Sequence, residues 1–157
     1  MRRIRAAVLI PLPLLLALAL APDRVATQAR EPVALTQPVY LVYYWRARPG
    51  KLAAYSDYIG TVAEPIDEEA RKAGVFEEVR TYVPALVTGA PGADWTHIRV
   101  FRLKSFASWD VFSAGLEEAA KRVYPDEARR REAMSPAAEL RDLVRQELWR
   151  EFRYPGR

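Results

Sequence analysis

The stretch Trp95-Thr96-His97-Ile98-Arg99-Val100-Phe101-Arg102-Leu103 decides the fold. Its side chains alternate without a break: Thr96, Ile98 and Val100 share one face, and His97, Arg99 and Phe101 share the other. Strict alternation marks a β-strand with two unlike faces. If the apolar set packs under helices, His97, Arg99 and Phe101 are expected on the opposite face of the sheet.

Upstream, residues 75–87 are rich in Val and Thr and read as a preceding strand that Pro84 disturbs, with residues 88–93 as the loop between the two. The same logic gives this strand Phe76, Glu78, Arg80 and Tyr82 on the face of His97. Before it the period changes. Leu52, Tyr55, Ile59, Val62, Ile66 and Ala70 recur at steps of three and four, which puts them on one helical face. Gly74 stops that helix, and Pro65 inside it predicts a kink or a split. Earlier still, residues 39–45 are β-branched and aromatic and run into Arg48-Pro49-Gly50, a buried strand and its turn. Downstream, Ser105 can cap a second helix through Phe106, Trp109, Phe112 and Leu116.

Past Tyr124 the pattern is less decisive. Residues 125–134 are charged and helix-prone, and Ser135-Pro136 reads as a cap followed by proline at the first helical position. Residues 143–149 fit a helix or a strand, since Leu140, Leu143, Val144 and Leu148 satisfy helical spacing as well. Strand, helix, strand, strand, helix and a candidate last strand is the order of a ferredoxin-like βαββαβ fold, α+β in class, with a four-stranded antiparallel sheet. Trp45-Arg46-Ala47-Arg48 before the first helix echoes Phe101-Arg102-Leu103-Lys104 before the second, as two copies of one βα unit would.

Three blocks carry a resemblance: residues 43–51 (YYWRARPGK), residues 65–74 (PIDEEARKAG) and residues 141–149 (RDLVRQELW). They resemble the corresponding blocks of exported bacterial proteins, without assigned activity, of the dimeric α/β-barrel superfamily, whose members are ferredoxin-like and similar to antibiotic-biosynthesis monooxygenases. The resemblance spans residues 38–152. It implies that residues 143–151 form the fourth strand and that two sheets from a homodimer face each other to make a barrel. That superfamily also holds haem-degrading enzymes and dye-decolourising peroxidases, so the fold does not carry one function with it.

On this reading one sheet face bears His97, Arg99, Phe101, Glu78 and Arg80, joined from the last strand by Arg145, Glu147 and Trp149. One reading is a barrel pocket for a small aromatic or anionic molecule. His97, the single histidine of the chain, would then act as acid/base, because imidazole titrates nearest neutral pH. The other is a non-catalytic structural homodimer in which Glu78, Arg80, Arg99, Arg145 and Glu147 pair across the interface, since buried charges must be paired, and His97 is hydrogen-bonded. A partner-binding module of the cell envelope is a third. Glu64 or Asp67 could join His97 at a metal, yet no short His/carboxylate motif is present and no metal site is expected. Haem ligation by His97 has no motif either, and no cofactor is assigned. Tyr40, Tyr43, Tyr44 and Trp45 read as core. No Gly-rich phosphate loop or Ser-His-Asp order occurs.

The 157-residue chain carries 24 Lys+Arg against 20 Asp+Glu. Much of the excess sits at the start. Residues 1–29 combine a basic beginning (Arg2, Arg3, Arg5), an apolar run at residues 6–21 and a small-residue end at Thr27-Gln28-Ala29, the three parts of a secretory signal peptide. Cleavage is expected after Ala29, with Ala19 and Ala21 as alternative sites, and the product is expected in the periplasm or outside the cell. The apolar run is shorter than the roughly 20 residues that cross a bilayer and contains Pro11 and Pro13, so no membrane span is expected after the leader is removed. Beyond Ala29 the balance falls to 20 basic against 19 acidic residues, because the leader holds four Arg and one Asp. Arg129-Arg130-Arg131, flanked by Asp126, Glu127 and Glu132, then reads as a solvated helix face and nucleic acid is not expected as a partner. The chain has no cysteine, which excludes disulfides, thiol catalysis and cysteine metal sites. Residues 30–37 read as a lead-in, 38–152 as the domain and 153–157 as a tail.

Overall fold

The computed structural model describes residues 36–86 and 94–151. The expected leader, most of the lead-in, the whole loop at 88–93 and the tail lie outside the described residues. Four strands, β1 (Val39–Ala47), β2 (Glu78–Tyr82), β3 (His97–Leu103) and β4 (Arg141–Arg150), form one antiparallel sheet in the order β2-β3-β1-β4. This is the split βαβ arrangement, in which each βαβ unit leaves a gap that a strand of the other unit fills. Strand β1 is central because it is apolar on both sides: Val39 and Leu41 are buried on one face, Val42 and Tyr44 on the other.

The helix that follows β1 runs as α1 (Leu52–Tyr58), a π-helical turn (Ile59–Ala63) and α2 (Glu64–Lys72). Pro65 lacks the N–H that would continue the ladder, and the wider turn lies immediately upstream of it, so the helix changes register there instead of breaking. Gly74 ends it at φ +76°, a left-handed conformation that glycine adopts without a Cβ penalty. Tyr55, Tyr58, Ile59, Ile66, Asp67 and Ala70 form the buried face, whereas Leu52, expected on it, is exposed.

The second helix starts as a 3₁₀ turn (Phe106–Trp109) and continues as α3 (Phe112–Val123). Ser105 does not cap it; its hydroxyl meets that of Ser108 at 3.4 Å. Gly115 lets α3 approach closely, since a Cβ there would stand 2.6 Å from Cγ2 of Val75. α4 (Glu127–Met134) begins at Asp126, whose carboxylate accepts from the Arg129 N–H at 2.8 Å. Ser135 donates to the Glu132 carbonyl and does not take the expected cap role before α5 (Ala137–Leu140). Residues 143–149 fall within β4, which resolves the helix-or-strand ambiguity in favour of the strand.

The main core joins Val39, Leu41, Phe101 and Leu103 of the sheet to Ile66 and Ala70 of α2, Phe112, Ala119 and Ala120 of α3, and Phe76. Phe101 meets Phe112 and Phe76 edge-on at 5.0 and 5.1 Å. Each of these rings, fully withdrawn from water, contributes about 1.5–3 kcal/mol. Among the described residues no helix is long and apolar enough to cross a membrane.

Register corrects the expected faces. Tyr43 pairs with Arg99, Trp45 with His97 and Leu41 with Phe101, and all six lie on the side that packs against the helices. Ile98 and Val100 lie opposite Tyr82 and Arg80 on the open side. The alternation in β3 holds, but the polar set turns toward the helices because α1 and α2 supply partners for it.

Candidate functional site

Between the helix-side face of the sheet and the helices lies a recess of about 490 Å³. Its sheet wall consists of Tyr43 and Trp45 of β1, Arg99 and Phe101 of β3, and Arg141 at the start of β4. Helices supply Tyr58, Ile66 and Asp67 on one side and Phe112 and Leu116 on the other, with Arg130 and Met134 of α4 at its edge. Ala63, the last residue of the π turn, also borders it, and such turns reshape a helix where a site needs room. Tyr43 stacks on Trp45 at 5.8 Å and on Phe112 at 6.5 Å, so aromatic rings in mutual contact line the wall.

A buried ion pair sits in this wall. Asp67 of α2 accepts through Oδ2 from the Arg99 guanidinium, and each side chain is only 6 % exposed. Burial pushes the Asp67 carboxyl above the ordinary carboxylate range, against the opposing pull of Arg99. Arg99 is held in turn by the Thr81 hydroxyl at 3.3 Å and lies over Phe101.

His97 lies beneath α1, 1 % exposed. Its Nδ1 is 2.9 Å from the Thr96 hydroxyl, its Nε2 is 3.1 Å from the Ser56 hydroxyl, and Tyr55 packs edge-on to the ring at 4.6 Å. Burial, then the charges of Arg141 and Arg99, hold the imidazole below its usual range and favour the neutral form. Those same charges oppose the imidazolium that a general base of a serine nucleophile would have to become. Ser56 and His97 therefore make a hydrogen-bonded structural link, and His97 is not among the residues lining the recess.

Arg141 projects into the recess from a different direction. Its guanidinium lies 3.7 Å over the Trp45 ring, and its Nη1 donates to the Tyr55 hydroxyl at 2.9 Å. Burial raises Tyr55 and Tyr58 above the usual phenol range, and Arg141 opposes the rise in both. Arg130 donates to the Tyr124 carbonyl at 2.9 Å. Within the Arg129-Arg130-Arg131 run, then, Arg131 pairs with Glu127 at the surface while Arg130 turns to the recess.

The eight residues expected to share one pocket divide between two faces. His97, Arg99 and Phe101 face the helices, and only the last two line the recess. Glu78, Arg80, Arg145, Glu147 and Trp149 share the open face. There Arg80 pairs with Glu78, Arg145 with Glu147 at 2.8 Å, and the indole N–H of Trp149 and hydroxyl of Tyr44 both donate to Glu147. These hydrogen bonds hold the Glu147 carboxyl below its ordinary range, that from Arg145 foremost. The expected charge pairing thus occurs within one chain. A second recess of about 450 Å³ lies on this face between Tyr40, Tyr82, Ile98, Val100 and Trp149.

Tyr43 and Trp45, read as core, line the recess, as do Asp67, weighed only as a metal partner of His97, Arg130, expected on a solvated face, and Arg141, to which no role was given. Asp67 had a signal: it follows Ile66 and precedes Ala70 by three, at the margin of the apolar helix face. Among the described residues no group of three His, Cys, Asp or Glu side chains could hold a metal ion.

No protein-family model and no curated protein matches the chain. Solved structures similar to it include HapK from Hahella chejuensis, at 10 % identity and TM-score 0.45, covering 73 % of this chain and 92 % of that one. An EthD-like protein from Ralstonia eutropha JMP134 is similar at 9 % identity and TM-score 0.48, covering 73 % and 91 %. An ethyl tert-butyl ether D (EthD) family protein from Bacillus halodurans C-125 is similar at 14 % identity and TM-score 0.45, covering 73 % and 98 %. At identities this low no ligand or reaction passes from them to this chain.

Proposed function

We propose that the chain binds a small planar aromatic molecule in the recess between sheet and helices. The observation that carries this reading is a recess of about 490 Å³, walled by Tyr43, Trp45 and Phe112 and provided with a few polar groups, Asp67, Arg99, Arg130 and Arg141 among them. Ligand sites of roughly 300–1,000 Å³ have this composition, apolar and aromatic with a few convergent polar groups. Calorimetric titration with the neutral probe 2-naphthalenemethanol tests it. Saturation at one molecule per chain, lost in Ala63→Trp because the indole fills the recess, is the expected result; no saturable heat in the wild type contradicts it.

The structural role then falls to the other face. Tyr82 and Trp149 are about half exposed there, beside Ile98 and Val100, and we propose that this face packs on a second copy of the chain. Contiguous apolar surface of this kind on a sheet favours association. We propose export on the ground of the leader pattern in residues 1–29. N-terminal sequencing of the exported form tests it: a start at or near Arg30 is expected, and an intact Met1 contradicts it.

A further inference from the structure

The charges around the recess do not balance. Asp67 and Arg99 neutralise each other. Glu117 lies at the edge and is engaged by Lys121 at 3.2 Å. That leaves Arg130 and Arg141, neither of which has an ion pair with a carboxylate among the described residues, although both line the same recess. Arg141 uses one of its five N–H donors on the Tyr55 hydroxyl and keeps its plane against Trp45, so its remaining donors are oriented before any ligand arrives. Arg130 is fixed by the Tyr124 carbonyl. Two half-buried guanidinium groups in an aromatic recess, with no carboxylate of their own, fit an oxyanion attached to an aromatic ring.

We propose that the ligand is an aromatic carboxylate, its ring against the Tyr43, Trp45 and Phe112 wall and its carboxylate held by Arg141, with Arg130 as the second cation. The proposal rests on the reading of the recess as a ligand site and adds the charge of the ligand and the residue that selects it. Arg99 cannot serve as the anchor, because Asp67 already occupies it. A carboxylate matches the guanidinium fork, and charge-assisted bonds of that kind are roughly twice as strong as neutral ones. Arg141 also bridges the recess to the buried structure, since its charge acts on Asp67, Tyr55 and His97.

The test compares three probes of one shape on the full chain: 2-naphthoate, 2-naphthalenemethanol and 2-naphthylmethylamine. The expected order is naphthoate tighter than the alcohol by about tenfold, near 1.4 kcal/mol, with the amine weakest. In Arg141→Gln the ratio of naphthoate to alcohol affinity should fall most of the way toward one, and residual saturable binding of the alcohol reports that the recess still forms. Arg141→Lys should retain part of the preference, since charge remains and the fork is lost. Arg130→Gln should reduce the preference by a smaller factor. Equal binding of naphthoate and alcohol by the wild type overturns the anion assignment, and an undiminished preference in Arg141→Gln overturns Arg141 as the residue that selects the carboxylate; either result leaves aromatic binding standing. Failure of all three probes overturns both.

Discussion

Removing one partner of the Asp67–Arg99 pair should be among the most destabilising single changes that spare the apolar core. Both side chains are 6 % exposed, which places the pair in the buried class and not among surface ion pairs, where a median of about 0–1 kcal/mol applies. Breaking a buried pair from one side costs about 3–5 kcal/mol, because the remaining group stays desolvated without its partner. Arg99→Met keeps an apolar contact with Phe101 while removing the charge and the hydrogen bonds to Asp67 and Thr81, so its loss should fall within that range at pH 8. The loss should shrink as pH falls. Asp67 already has a raised carboxyl and without Arg99 it is raised further, so acid lets it take a proton and become a neutral buried group. Asp67→Leu combined with Arg99→Met replaces the pair by apolar groups and should cost less than either single change. Urea unfolding of the four proteins at pH 5 and pH 8 measures all of this as one cycle. Single costs below about 1 kcal/mol, in the range of exposed pairs, or costs that simply add in the double variant, would refute the reasoning.

Three further outcomes follow from specific contacts. His97 has a lowered folded pKa, so the unfolded chain takes its proton first. Its contribution is complete above the ordinary imidazole range and declines as pH falls through that range toward the folded value, by up to about 1.4 kcal/mol per pH unit. His97→Gln should abolish that component in urea midpoints between pH 5 and 8, and since the chain has one histidine the difference from wild type isolates it; identical pH profiles would count against the buried neutral imidazole. Gly115→Ala should lower stability by about 1–3 kcal/mol through overpacking, despite alanine's better helix propensity, because Val75 stands in the way with both its methyl groups; a raised melting temperature would contradict the close approach. Tyr82→Lys with Trp149→Glu should convert a dimer to a monomer in sedimentation at micromolar concentration and leave naphthyl binding unchanged, whereas a wild-type monomer would remove the proposed role of the open sheet face.

Much of the fold was readable because alternation and helical spacing report which residues share a face. They do not report which way a face points. In β3 the histidine and arginine looked unsuited to a helix-covered side, yet Ser56 of α1 and Asp67 of α2 reach them there, and partners on a distant segment leave no mark in local periodicity. The last strand was ambiguous for a different reason. Leu143 pairs with Trp45 and Leu148 with Leu41, so both leucines face the helices although an odd number of positions separates them. The register shift at Tyr44/Trp45 makes this feasible, and an inserted residue of that kind breaks the two-residue period in the sequence. Arg141 escaped notice because its role depends on β4 lying beside Ala47 and on the ring of Trp45 beneath it, both products of the fold. Arg130 was hidden in a run whose neighbours are solvated.

A crystal structure of the chain soaked with 2-naphthoate is the most direct measurement of what this protein binds and where. The naphthyl ring should lie along Tyr43, Trp45 and Phe112, with its carboxylate within hydrogen-bond distance of Arg141. Density for the ligand on the open face among Tyr40, Tyr82 and Trp149, with the recess beside Asp67 holding only solvent, would contradict the assignment of the binding site to the helix side of the sheet.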